Sequence, residues 1–132
     1  MRRVGNLFQR IASFENLHRA ATRAFRGKKD RSSVARFHFN LEQELLSIEY
    51  DLNSGTYCPS PYGVFSIFEP KERMICCSSF RDRVIHHAIC DVIDPVLEKR
   101  FIYDTYACRK RKGTHRALFR AQEFTRRING GG

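Results

Sequence analysis

Apolar residues return at helical spacing in several stretches of this chain, separated by one segment that cannot be helical. Leu7, Ile11, Phe14, Ala21 and Phe25 fall on one helical stripe, and Gly27 ends it. A second stripe carries Val34, Phe37, Leu41, Leu45, Ile48 and Leu52. Asp30, Ser32 and Ser33 stand where they can cap it, and Asn53-Ser54-Gly55 stops it. The texture then changes. Tyr57-Cys58-Pro59-Ser60-Pro61-Tyr62-Gly63 is broken as a helix by its prolines and glycine. Residues 64–69 and 73–77 read as strands, with Pro70-Lys71-Glu72 as a tight turn between them. From Phe80 the helical period resumes through Val84, Ile85, Ala88, Ile89, Val92, Ile93, Val96 and Leu97. Pro95 either kinks this helix or starts a second short one. After an irregular stretch, Gly113-Thr114 opens a last helix with Ala117, Ala121, Phe124 and Ile128 on one side.

These elements predict an α+β fold: a mostly helical chain with one two-stranded antiparallel β-hairpin that has a basic tip. The expected divisions are an N-terminal helical region (1–56), the hairpin with the helices that follow it (57–129), and a glycine tail (130–132). There is no internal repeat, low-complexity tract or linker. The last helix has no evident partner for its apolar side, so the expectation is an incomplete structural unit.

Charge changes the picture next. The chain of 132 residues has 24 Lys and Arg against 14 Asp and Glu, a formal net charge of +10. Such an excess favours a polyanionic partner, because each neutralised phosphate releases condensed counterions. Ribosomal, histone-like and membrane-surface proteins share this property, so charge alone does not choose among them. No stretch approaches the ~20 apolar residues of a membrane span. Cys58, Cys76, Cys77, Cys90 and Cys108 form no CxxC pair, and no secretory signal is present. Reduced thiols in a cytoplasmic protein are expected.

The candidate chemistry sits in three places. Glu69-Pro70-Lys71-Glu72-Arg73 sets two cations on a short, stiff turn, an arrangement suited to a triphosphate; ordinary hairpin tips are also charged. Phe80-Arg81-Asp82-Arg83-Val84-Ile85-His86-His87-Ala88 places Asp82 where it can cap or pair within the first turn of its helix. His86 and His87 point about 100° apart on a helix, so they do not make a metal pair. Between Lys99 and Arg127, cations (Lys99, Arg100, Arg109, Lys110, Arg111, Lys112, Arg116, Arg120, Arg126 and Arg127) far outnumber Asp104 and Glu123. Phe101, Tyr103 and Tyr106 are mixed among them, as in surfaces that stack on bases while neutralising phosphates.

Taken in order, these motifs resemble a known family. Tyr57-x-Pro59-x-Pro61, Glu69-Pro70-Lys71-x-Arg73-x-Ile75, residues 80–88, Asp94-Pro95-x-x-Glu98-x-x-Phe101 and Thr105-Tyr106-Ala107-Cys108-Arg109-x-x-x-Gly113-Thr114-His115-x-Ala117 closely resemble the fingers of bacterial retroelement reverse transcriptases. That group comprises the group II intron, retron and diversity-generating retroelement enzymes. Glu15-Asn16-Leu17 and the helix from Arg36 to Leu46 look most like the diversity-generating branch. The resemblance runs roughly from Phe14 to Gln122.

The resemblance implies the fingers part of a right-hand RNA-directed DNA polymerase, which binds an RNA template, a DNA primer and an incoming dNTP. Lys71 and Arg73 match the cations that grip the triphosphate, and Arg109 matches an arginine lining the nucleotide and template path. The turn between the strands is shorter than in group II intron enzymes. Lys110, Arg111, Lys112 and Arg116 would face nucleic acid. Asp82 would be structural, and His115 matches a family position without an assigned role. The intact enzyme would use Mg2+ and could work with an accessory retroelement protein. The palm aspartates that hold the metal ions, including those of a Tyr-x-Asp-Asp motif, are not in this sequence. No catalytic residue and no metal ligand is therefore expected here, and these residues alone should not polymerise. The alternative is a stand-alone basic RNA-binding module. A metal-dependent nuclease using His87, Asp91 and Asp94 fails on spacing.

Overall fold

The first apolar stripe makes two helices where the sequence predicts one. In the computed structural model, which describes residues 3–28 and 32–130, α1 is Leu7–Ala12 and α2 is Phe14–Ala24. The break is Ser13, whose backbone is extended (φ −65°, ψ 139°). Its hydroxyl donates to the Arg10 carbonyl at 3.0 Å, a local bond that competes with helix continuation. The Phe14 amide, freed by the break, donates to Glu49 Oε1 at 2.9 Å. A distant carboxylate thus caps α2, satisfying an amide that has no partner within its own helix.

The second stripe is divided as well. α3 is Ser32–Phe39 and α4 is Leu41–Ser54, with Asn40 (φ −105°, ψ 29°) between them. Ser32 and Ser33 form the first turn of α3. Asp30, the other capping candidate, lies outside the described residues. Gly55 ends α4 in the left-handed region (φ 72°), as expected of the residue that closes a helix.

Strands β1 (Gly63–Phe68) and β2 (Glu72–Cys77) pair antiparallel, with Gly63 opposite Cys77 and Phe68 opposite Glu72. The turn is Glu69-Pro70-Lys71, one residue earlier than the sequence predicts, because Glu69 leaves the ladder and its amide reaches the Lys71 carbonyl. Only Ile75 among the strand residues is even half-buried. Helix α5, Phe80–Glu98, continues through Pro95 without ending there.

The core of this first unit, Met1–Val96, lies among α2, α3, α4 and α5. Leu17, Leu45, Ile48 and Val84 are completely buried. Phe25, Phe37 and Phe80 form an aromatic cluster, with Phe80 centroids 5.1 Å from Phe25 and 5.0 Å from Phe37. Asn16 is buried among these apolar groups and is satisfied there. Its Nδ2 donates to the Ile11 carbonyl at 3.1 Å and the Ala88 carbonyl at 3.0 Å, tying α1, α2 and α5 together.

The second unit, Leu97–Gly132, contains an irregular loop and α6, Thr114–Asn129. No residue of α6 is buried, and Phe124 and Ile128 are exposed. The fold is α+β and mostly helical, with one two-stranded antiparallel sheet. No helix of the described residues is long and apolar enough to cross a membrane.

Candidate nucleotide and nucleic-acid interface

A two-stranded hairpin is marginally stable by itself in water, so what holds its two ends matters. Asp82 holds both. Its carboxylate accepts hydrogen bonds from the Tyr57 hydroxyl (2.7 Å) and the Ser60 amide (3.1 Å), on the segment that enters the hairpin. It also accepts one from the Ser79 hydroxyl (2.7 Å), on the segment that leaves it. Ser79 Oγ in turn accepts the Asp82 amide, as a cap at the start of α5. Asp82 is buried. Burial pushes its carboxyl up, but the hydrogen bonds from Ser79, Tyr57 and Ser60 outweigh this and hold it below the usual carboxylate range. Burial, with the Asp82 bond second, pushes the Tyr57 hydroxyl up to about 12.

The neighbouring Arg81 locks α5 to α4. It donates to Glu44 (3.0 Å), Ser47 (3.1 Å) and Asp51 (2.5 Å). Arg83 lies with its guanidinium 5.3 Å from the Phe80 ring centroid, and its buried Nε has no hydrogen-bond partner among the described residues.

Lys71 and Arg73 are at the far end of the hairpin. Both are exposed, and neither side chain has a hydrogen-bond or ion-pair partner among the described residues. Arg73 stands opposite Ile67 in the ladder. By strand alternation it shares a face with Phe65 and Ile75, while Glu72 belongs to the other face with Phe68 and Met74. The tip therefore offers two uncommitted cations beside an apolar strip. That arrangement can neutralise a polyphosphate.

Within the second unit the basic run 109–112 is divided. Arg109 turns inward. Its Nε contacts both Glu98 oxygens at 2.9 Å, its Nη2 reaches Oε1 at 2.6 Å, and its Nη1 donates to the Ile102 (3.2 Å) and Thr105 (3.1 Å) carbonyls. The Arg109 hydrogen bonds hold the Glu98 carboxyl below its ordinary range. Lys112 donates to the Tyr103 carbonyl and lies 4.3 Å from the Tyr103 ring centroid and 5.0 Å from that of Tyr106. Arg120 is bound to Asp104 (2.9 Å) and Glu123 (2.7 Å). Lys110, Arg111 and Arg116 are exposed, with no such partner among the described residues. Cys108 (φ 56°) and Arg111 (φ 61°) both adopt left-handed backbone, and the run they belong to turns Arg109 and Lys112 inward and leaves Lys110 and Arg111 outside. The expected roles of Arg109 and Lys112 as direct contacts thus meet a geometry in which both are already engaged, while Lys110, Arg111 and Arg116 stay open. His115 is exposed.

Asp91 is paired with Arg23, and no group of three His, Cys, Asp or Glu side chains among the described residues could hold a metal ion. Burial, then the charges of Arg23, Lys28, His86 and Arg83, keep the His87 imidazole below its ordinary pKa. The sequence reading missed three groups: Asn16, Glu49 as the cap of α2, and Glu98 as the partner of Arg109. An asparagine inside an apolar stripe was the available signal for the first; the other two bonds join distant or irregular segments and had none. In comparisons with known proteins, no protein-family model matches the chain and no curated protein matches its sequence.

Proposed function

We propose that the chain is the N-terminal fingers region of an RNA-directed DNA polymerase of the bacterial retroelement type, which binds RNA template, DNA primer and incoming dNTP. The observation that carries this reading is the hairpin: both its feet are held by Asp82, and its tip presents the Lys71 and Arg73 side chains without partners among the described residues. A footed arm with free cations suits the closing of a polymerase on a triphosphate, where preorganised charge is most effective. Arg109 enters this reading as the residue that shapes its loop through Glu98, with Lys110, Arg111 and Arg116 left to meet phosphates. The reading also carries a cytoplasmic setting and an accessory retroelement protein as partner. Mg2+ belongs to the family's chemistry, but the residues present here do not fit it, since the sequence lacks the palm motifs and the described residues hold no cluster of metal-binding side chains. No step is assigned to a metal in this chain, and no polymerisation is expected from these residues alone.

The test is fluorescence-anisotropy titration of an RNA–DNA primer–template, with and without the matching dNTP, on the wild type and on Lys71→Ala/Arg73→Ala. The expected result is that dNTP tightens binding in the wild type and that the double variant loses this effect, by about tenfold or more. A variant that responds to dNTP as the wild type does would sink the fingers reading. A stand-alone RNA-binding module would then be favoured, on the observation that Lys110, Arg111 and Arg116 are open in the same unit as exposed Phe101 and Tyr103.

A further inference from the structure

The polar face of α2 is basic and forms part of a groove. Its buried side is Leu17, Ala20, Ala21 and Ala24; the opposite side carries His18, Arg19, Thr22 and Arg23, continuing to Arg26 just past the helix end. Arg19, Arg23 and Arg26 are spaced i, i+4, i+7, so they form one stripe about 10 Å long. An exposed basic helix face is usually just solvated. This one lines a concavity of about 820 Å³, closed on one side by Asn6, Gln9 and Arg10 near α1 and on another by Asp91 and Val92 of α5.

Its charges are unevenly committed. Arg23 is neutralised by Asp91, and Arg19 touches the Asn16 side-chain oxygen at 3.4 Å. The Arg10 and Arg26 guanidinium groups have no hydrogen-bond or ion-pair partner among the described residues. Glu15, in the first turn of α2, is the other acid of the lining. Beyond the floor the lining is polar: asparagine, glutamine, serine and threonine stand between the arginines. A membrane surface would call for large apolar groups that insert, and Val92 is the one such side chain in the lining. Base readout on single strands calls for a run of exposed aromatic platforms, and the one ring in this lining is the His18 imidazole. Charge with neutral hydrogen-bonding groups, and no series of stacking rings, is what contacts a phosphodiester backbone without reading its sequence.

We infer that the groove between α1, α2 and α5 binds the phosphate backbone of a nucleic acid through Arg10, Arg19 and Arg26. The stripe spans about three nucleotide steps of a strand at 3.4 Å per step. This inference rests on the reading that the partner is a nucleic acid, but not on the hairpin or on dNTP.

The test uses the full chain and measures binding of a mixed-sequence RNA duplex across a range of salt. Arg10→Gln/Arg19→Gln/Arg26→Gln is compared with the corresponding triple Lys variant, and thermal melting shows that both fold. The Gln variant should bind about tenfold or more weakly, with the slope of log K against log salt reduced by about 2 to 3. The Lys variant should stay close to wild type, since backbone neutralisation needs charge and not the guanidinium fork. Wild-type affinity and slope in the Gln variant would overturn the inference. So would a loss of binding confined to anionic phosphatidylserine vesicles with RNA binding unchanged. The dNTP response of Lys71→Ala/Arg73→Ala is scored separately, so that failure of the hairpin reading and failure of the groove remain distinguishable.

Discussion

Asp82 shows how much one buried carboxylate can organise. Asp82→Ala would leave the Tyr57 and Ser79 hydroxyls and the Ser60 amide without their acceptor, and should destabilise the fold by about 3 kcal/mol in urea unfolding at neutral pH. Asp82→Asn should also destabilise, because its amide would turn a donor toward donors. The sign of the pH effect follows from the direction of the shift. The folded carboxyl lies below its unfolded value, so its stabilisation is complete above the unfolded pKa and disappears as pH falls through the folded one. Tyr57, at about 12 in the fold against 10.0 ordinarily, contributes stability below pH 10 that is lost as pH rises towards 12. An acid limb of the stability profile that is unchanged in Asp82→Asn would show that another carboxylate dominates it. Asp82 could be read in the sequence as a residue at a helix start. Its bond to Tyr57 could not, because the two are separated by 25 positions and no local pattern links them.

At the scale of elements, the helix ends divide into those made locally and those made at a distance. Gly55 is local: its left-handed backbone closes α4, and nothing lies near the place where a side chain would project. Gly55→Ala should therefore cost about 1 kcal/mol through backbone strain alone, read as a lower Tm with no change in nucleic-acid binding. The end of α1 is also local, made by the Ser13 hydroxyl on the Arg10 carbonyl, but the start of α2 is capped by Glu49 of α4, a partner 35 positions away that apolar periodicity does not contain. The hairpin is the other extreme. Its strands are exposed on both faces and held at their feet, so backbone amides of residues 64–76 should exchange with solvent well before those of residues 84–92 in α5. Equal protection in hydrogen exchange would mean that the hairpin is covered in solution.

At the scale of the whole molecule, the two units call for separate tests. Glu98→Ala removes the carboxylate that gathers Arg109, leaving it the Ile102 and Thr105 carbonyls. Amides of residues 99–113 should then exchange faster, while the protection of the α2, α4 and α5 core stays as in the wild type. Loss of protection throughout would show that the units do not melt independently. The same replacement separates two roles for the basic run. If Arg109 shapes the loop, its release should weaken binding by Lys110 and Arg111 indirectly, without a large change in salt slope.

The sequence by itself determined the helical stripes, the hairpin, the stop at Gly55 and the excess of positive charge. Each is a local or additive property: a period, a turn residue, a sum. Only the tertiary structure decided which cations remain free. Arg109 and Lys112 read the same as Lys110 and Arg111 in a basic run, but the first pair is drawn in by Glu98 and the Tyr103 carbonyl and the second is left outside. Likewise, the exposed arginines of α2 became one wall of a groove because α1 turns at Ser13 and α5 packs alongside, joined through Asn16 to a carbonyl 72 positions away. Commitment of a charge and concavity of a surface are relations between distant groups, and a one-dimensional pattern does not contain them.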